Sequence, residues 1–133
     1  MLIPYLSFNG SCEEALHLYA DAFSGKIEYV PRWNEQTGSA ALAGKVMHAH
    51  VSLGEFGVLN AGDTETPVVF GNAISMLARF DDATKAKAAA AKLYEGGALV
   101  QDFTANPSPD EGSMCAVISD KFGYTWIFAC PNV

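Results

Sequence analysis

The stretch Ser11-Cys12-Glu13-Glu14-Ala15-Leu16-His17-Leu18-Tyr19-Ala20-Asp21-Ala22-Phe23-Ser24-Gly25 decides the fold. Its opening has the form of a capping box. The Ser11 hydroxyl is placed to accept from the Glu14 amide, and the Glu14 side chain to reach back. Ala15, Leu18, Tyr19 and Ala22 then recur at i, i+3, i+4 and i+7, and Leu16 and Phe23 widen the stripe. Gly25 supplies the stop, so a helix is predicted over 11–24. Before it, Ile3–Phe8 has the pattern of a strand ending at Asn9-Gly10. After it, Lys26–Trp33 is a second strand, followed by a polar loop from Asn34 to Gly44. Lys45–Leu53 alternates, with Met47, Ala49, Val51 and Leu53 on one face and Val46, His48, His50 and Ser52 on the other. The turn Gly54-Glu55-Phe56-Gly57 leads to a short strand, Val58–Ala61.

The same order then recurs. Ile74–Phe80 is a strand, and Asp81 or Asp82 caps a helix running to Glu95 and closed by Gly96-Gly97. Ala98–Phe103 is a strand, Thr104–Gly112 a loop, and Met114–Ser119 and Tyr124–Cys130 are strands. Tyr5 corresponds to Ser75 (offset 75 − 5 = 70), Ser11 to Asp82 (82 − 11 = 71) and Gly57 to Gly123 (123 − 57 = 66). The chain is therefore expected to be one α+β domain of two tandem βαβββ modules, 1–69 and 70–133, with a linker near Asp63–Gly71. In each module a helix covers one face of the sheet and leaves the other bare. Two bare faces are expected to curl into one barrel-like mixed sheet around a shared concavity, with the helices outside and a ligand within.

Composition narrows the function. The 133 residues carry fifteen Asp and Glu against eight Lys and Arg, a net charge of −7, and only 17% are charged. The scattered cations cannot form the basic stripe that a phosphate backbone requires, so nucleic acid and anionic membrane surfaces are poor partners. No apolar run approaches the ~20 residues of a membrane span, and Met1–Leu6 lacks the basic flank of a secretory signal. Three cysteines, Cys12, Cys115 and Cys130, without a CxxC pair point to reduced thiols in a cytoplasm.

The double βαβββ pattern resembles the vicinal oxygen chelate superfamily of glyoxalases, bleomycin-resistance proteins and extradiol dioxygenases. Four segments, Pro4–Gly10, Glu13–Tyr19, Val46–Ala49 and Asp120–Trp126, are similar to its PhnB-like group, often labelled 3-demethylubiquinone methyltransferase-like. The resemblance implies a small-molecule pocket and a homodimer. Metal-using members place ligands on the first strand of each module and near the end of the last. Carried over, these positions are Tyr5, Ser75, Ile127 and about Ala61. A one-residue slip brings in Pro4 or Leu6, Ile74 or Met76, Trp126 or Phe128, and Asn60 or Gly62. None is an imidazole or carboxylate, and Asn60 alone is insufficient. The usual metal site is thus expected to be absent, and no cofactor is expected. Nor does a Gly-rich turn leave a strand to enter a helix, as a methyl-donor site would need, so the methyltransferase label does not describe the chemistry.

His48 and His50 share the strand face opposite the apolar one, ~6.5–7 Å apart along the strand. With a third ligand from Asp63, Glu55 or Cys115 they would chelate a metal; without one they line a pocket as hydrogen-bonding groups or a general base. Trp126 shares a face with Phe128 and belongs to the core, whereas Trp33 beside Arg32 is placed to flank a pocket mouth or an interface. Asp63 is either a turn residue or a partner for His48. Cys12, in the first helical turn, has no activating neighbour and is structural. His17 lies off the apolar stripe, at the surface. Lys85, Lys87 and Lys92 form a solvated face. Arg32 and Arg79 are the two guanidinium groups, with no sign that they converge.

The leading expectation is a metal-independent pocket walled by Tyr5, Ser7, His48, His50, Ser75, Thr125 and Ile127, suited to a neutral or cationic, partly planar ligand. Two alternatives stand beside it. One is a glyoxalase- or dioxygenase-type enzyme using His48 or His50 as base or in a non-standard metal site. The other is a protein with a vestigial pocket that acts by association with a partner.

Overall fold

The computed structural model of the chain describes residues 1–132. It divides into two compact units at Val69/Phe70. The first contains β1 (Tyr5–Phe8), α1 (Cys12–Phe23), β2 (Lys26–Tyr29), β3 (Ala49–Ser52) and β4 (Val58–Asp63). The second contains β5 (Met76–Arg79), α2 (Ala83–Leu93), β6 (Ala98–Ala105), β7 (Ser113–Ser119) and β8 (Thr125–Pro131). Each unit is βαβββ, and each forms its own four-stranded mixed sheet, ordered β1-β4-β3-β2 and β5-β8-β7-β6. The strand before each helix pairs in parallel with the last strand of its module. The remaining pairs are antiparallel. The α+β class holds, and the strands form two separate sheets, not one closed barrel.

Each helix buries one stripe against its own sheet. In α1 the buried residues are Cys12, Ala15, Leu16, Tyr19, Ala22 and Phe23, so the stripe is centred one position from the predicted one and Leu18 is only half-buried. They meet Leu6, Phe8, Ala49, Val51, Leu59 and Ala61 of the sheet core. The second helix presents Ala86, Ala89, Ala90 and Leu93. Alanine brings this helix close to β8, where Trp126 and Phe128 supply the missing volume, and Phe128 stacks on Phe80 at 5.2 Å between ring centres. The core assignment of Trp126 is correct: it is 2% exposed. Among the described residues no helix is long and apolar enough to cross a membrane.

Several local expectations are corrected. Ser11 makes no side-chain cap. The carboxylate of Asp63, 51 or more residues away, replaces it. Its Oδ1 accepts from the amides of Gly10 at 2.7 Å and Cys12 at 3.1 Å. The left-handed residue that ends α1 is Ser24 (φ 53°, ψ 42°), not Gly25. Gly25 is needed for space instead, because any Cβ there would run into the Ser52 carbonyl. By contrast, of the two candidate caps of α2, Asp81 and Asp82, it is Asp82 that caps the helix, accepting from Lys85 N at 3.0 Å.

Both long strands of the first module are shorter than alternation implied. Pro31 cannot donate to a ladder, so β2 stops at Tyr29. Beyond it the two segments are joined by the isolated bridge Arg32↔Val46, with Met47 N–H donating to the Pro31 carbonyl, Trp33 N–H to the Lys45 carbonyl and Gly44 N–H to the Trp33 carbonyl. Val46, placed with the histidines by alternation, is fully buried. Residues 46–48 leave the regular ladder, and alternation resumes only at Ala49. In the second module β5 starts at Met76, which leaves Ser75 outside the strand.

Candidate functional site

The open face of the first sheet is built by one row of paired residues. Tyr5 on β1 stands opposite Asn60 on β4, Asn60 opposite His50 on β3, and His50 opposite Tyr29 on β2. Tyr5 and Tyr29 are each 55% exposed. Tyr29 was not foreseen, for a specific reason. Ile27 pairs with Val51 on the core face, and regular alternation would put Tyr29 there too. A bulge between them spends an extra residue, Glu28, and turns Tyr29 to the other face, opposite His50.

The rings of Tyr29, His48 and His50 form a triangle. The centroids are 5.6 Å apart for Tyr29–His48, 5.7 Å for Tyr29–His50 and 5.8 Å for His48–His50. His48 is half-buried and His50 exposed. Neither imidazole hydrogen-bonds a carboxylate among the described residues, and no three His, Cys, Asp or Glu side chains there are grouped to hold a metal ion. Asp63, for which the sequence left open a turn role or a partnership with His48, ends β4 and points to the helix side. It is 3% exposed, and its Oδ2 accepts from Val46 N at 3.1 Å. It acts on His48 only through the backbone, by fixing the chain at Val46. Trp33 is half-buried and donates from Nε1 to the Asp63 carbonyl at 3.0 Å.

The Tyr5 phenol oxygen reaches Gly62 on β4, and this requires a glycine there. A Cβ at Gly62 would stand 2.6 Å from the phenol oxygen and 2.5 Å from the Met47 carbonyl. Burial, with the nearby Cys12 and Asp63, pushes the Tyr5 phenol above its ordinary range, so it remains a protonated donor. Ser7 sits in the next row of β1, opposite Gly62, half-buried on the same face. Of the expected wall, then, Tyr5, Ser7, His48 and His50 belong to one sheet face. A cavity of about 670 Å³ lies off this face, around Asn9, Gly10, Leu42, Lys45 and Thr64 at the start of α1. There the helix amides already hold the Asp63 carboxylate, and Lys45 Nζ donates to the Gly10 carbonyl at 3.2 Å.

In the second module Thr125 and Ile127 are half-buried on the face opposite Trp126 and Phe128, as alternation predicted. Ile127 stands between Leu77 and Val117. Ser75 is half-buried just ahead of β5. Asp120, part of the Asp120–Trp126 motif, is a folding element. It is 2% exposed and accepts from Phe122 N at 2.9 Å, Tyr124 N at 3.1 Å and Trp126 Nε1 at 3.0 Å.

Cys12 is fully buried, and burial, reinforced by Asp63 and Glu13, pushes its thiol up from 9.0 to about 12. This opposes a nucleophilic role and gives a prediction. A thiol whose native pKa is raised stabilises the fold fully below its unfolded value and loses that contribution as pH climbs toward the native one. Wild type is expected to lose stability steadily from pH 9 upward, with a shallower slope in Cys12→Ala. Urea midpoints at pH 8 and pH 10 check this; parallel losses in both proteins would refute it.

Two four-stranded sheets, each backed by one helix in a βαβββ module, define a fold of the glyoxalase/bleomycin-resistance/dioxygenase type. Residues 1–128 match the family model described as 3-demethylubiquinone-9 3-methyltransferase, and the chain belongs to that PhnB-type family. Among solved structures, protein PA1353 from Pseudomonas aeruginosa is similar at 26% identity and a TM-score of 0.84, covering 98% of this chain and 97% of that one. A PhnB protein from Bacillus cereus, titled a putative 3-demethylubiquinone-9 3-methyltransferase, shares the fold at 22% identity and TM-score 0.79, covering 97% and 98%. A glyoxylase/bleomycin resistance protein/dioxygenase domain from Frankia does so at 13% identity and TM-score 0.68, covering 99% and 91%. No curated protein matches the chain.

Proposed function

We propose that this protein binds a small molecule without a metal, and that the open face of its first sheet makes the contact through Tyr5, Tyr29, His48, His50 and Asn60. The triangle of Tyr29, His48 and His50 carries this reading. Three rings held within 6 Å of one another on an exposed face offer stacking surface, π-faces for a cation, and imidazole nitrogens for hydrogen bonds. The ligand that suits such a face is neutral or cationic and partly planar. The positions that would hold the family's metal carry Tyr5, Ala61, Ser75 and Ile127, whose side chains do not suit a divalent ion. The usual metal site is therefore taken as lost. Binding is favoured over base catalysis because no carboxylate among the described residues orients either imidazole. A cytoplasmic homodimer is part of the same proposal and rests on the family resemblance.

Indole and benzamidinium serve as neutral and cationic probes. Saturation-transfer NMR is expected to show contact with wild type and at least ~10-fold weaker binding in Tyr29→Ala and His50→Ala, the loss of about one stacking or hydrogen-bonding partner. Equal binding by all three proteins would refute the assignment of this face.

A further inference from the structure

We infer that the second module carries its own binding site, for a small monocarboxylate, anchored by Arg79. This inference does not depend on the role proposed for the first sheet. A cavity of about 440 Å³ opens where the parallel strands β5 and β8 end, beneath the loop that carries Asn106 and Asp110. Its floor is set by register. Arg79 stands opposite Ala129, and Ala129 opposite Cys115, so the smallest side chain of the row lies between a guanidinium and a half-buried thiol. Alanine at that point leaves a notch. Leu77, Phe80 and Pro131 give it apolar walls.

Two polar side chains at the notch are tied to the loop, while the guanidinium is left for a ligand. Asn106 Nδ2 donates to Ser113 Oγ at 2.8 Å, and Ser113 Oγ donates to the Asp110 carbonyl at 2.9 Å. The Arg79 guanidinium has no ion pair or hydrogen bond with a described residue, whereas that of the other arginine, Arg32, is forked onto Glu13 at 2.6 and 3.0 Å. A guanidinium offers parallel N–H donors that match a carboxylate in bidentate geometry. Asp110, which also lines the cavity, disfavours a dianion such as phosphate through its negative charge. An apolar acid anion satisfies all three features: carboxylate on Arg79, body over Ala129, no second charge toward Asp110.

Sodium benzoate is the probe, titrated at constant ionic strength into ¹⁵N-labelled protein, with inorganic phosphate as comparison. Saturable amide shifts are expected at residues 77–79, 113–115 and 129–130, with benzoate binding tighter than phosphate. Affinity should fall at least ~10-fold in Arg79→Gln, as for loss of one charge-assisted pair, and less in Arg79→Lys, which keeps the charge but loses the fork. Arg79 is exposed, so its variants should remain folded, and their dispersed spectra verify it. Equal benzoate affinity in wild type and Arg79→Gln would overturn the proposal. So would shifts scattered over the lysines, absence of saturable shifts in wild type, or preference for phosphate.

Discussion

Asp63→Ala is expected to lower the unfolding free energy by about 3 kcal/mol or more, since each buried N–H left without a partner costs about 1–3 kcal/mol. Three amides depend on this carboxylate: Gly10 and Cys12 at the start of α1, and Val46 ahead of β3. The loss would be large beside a typical domain stability of about 5–15 kcal/mol. Asp63→Asn separates the roles. Its remaining oxygen can keep the Gly10 and Cys12 bonds, while its NH₂ confronts the Val46 amide, so an intermediate loss of about 1–2 kcal/mol is expected. Because Val46 precedes His48 by two residues, Asn at 63 should also shift the His48 imidazole resonances. Urea unfolding and imidazole NMR test both parts. A fully stable Asp63→Ala protein would mean that α1 caps itself after all.

The second large effect concerns Gly25 and Gly97, which hold equivalent places after the two helices. A Cβ on Gly25 would collide with the Ser52 carbonyl and lie 3.0 Å from Leu53 Cα. On Gly97 it would collide with the Ser119 carbonyl and lie 2.7 Å from the Asp120 carbonyl carbon. Neither glycine has a left-handed φ, so the obstacle is space, and the obstructing atoms are backbone that cannot rotate away. Gly25→Ala and Gly97→Ala are each expected to cost about 2–3 kcal/mol, at the upper end of overpacking penalties. Gly112→Ala, with open space around its Cα, is the control expected to change little. Thermal unfolding of the three variants decides. A Gly25→Ala or Gly97→Ala protein as stable as the control would show that the helix exits can move apart.

What was legible in the sequence was whatever one element decides by itself. The α2 cap at Asp82, the buried face of Trp126 and Phe128, and the βαβββ repeat all follow from local spacing, and all appear in the structure. The misses are contacts decided by a second, distant segment. Ser11 had the chemistry of a cap, but the end of β4 delivers a carboxylate to the same amides and wins. The facing of Tyr29 is not readable from its own strand, because only the partner strand reveals the bulge at Glu28. Alternation places Val46 on the wrong face because the ladder breaks between Val46 and Ala49. His48 and His50 lie side by side, and their common neighbour is an aromatic ring, not the carboxylate that a base or a metal site would need.

The central claim is that this ring cluster works without a metal. Elemental analysis of untagged protein prepared without chelator, followed by calorimetric titration with Zn²⁺ and Ni²⁺, tests it most directly. Substoichiometric metal, and titrations that His48→Ala and His50→Ala leave unchanged, are the predicted results. One tightly held ion per chain, lost on either substitution, would contradict the account and make the histidine pair a metal centre.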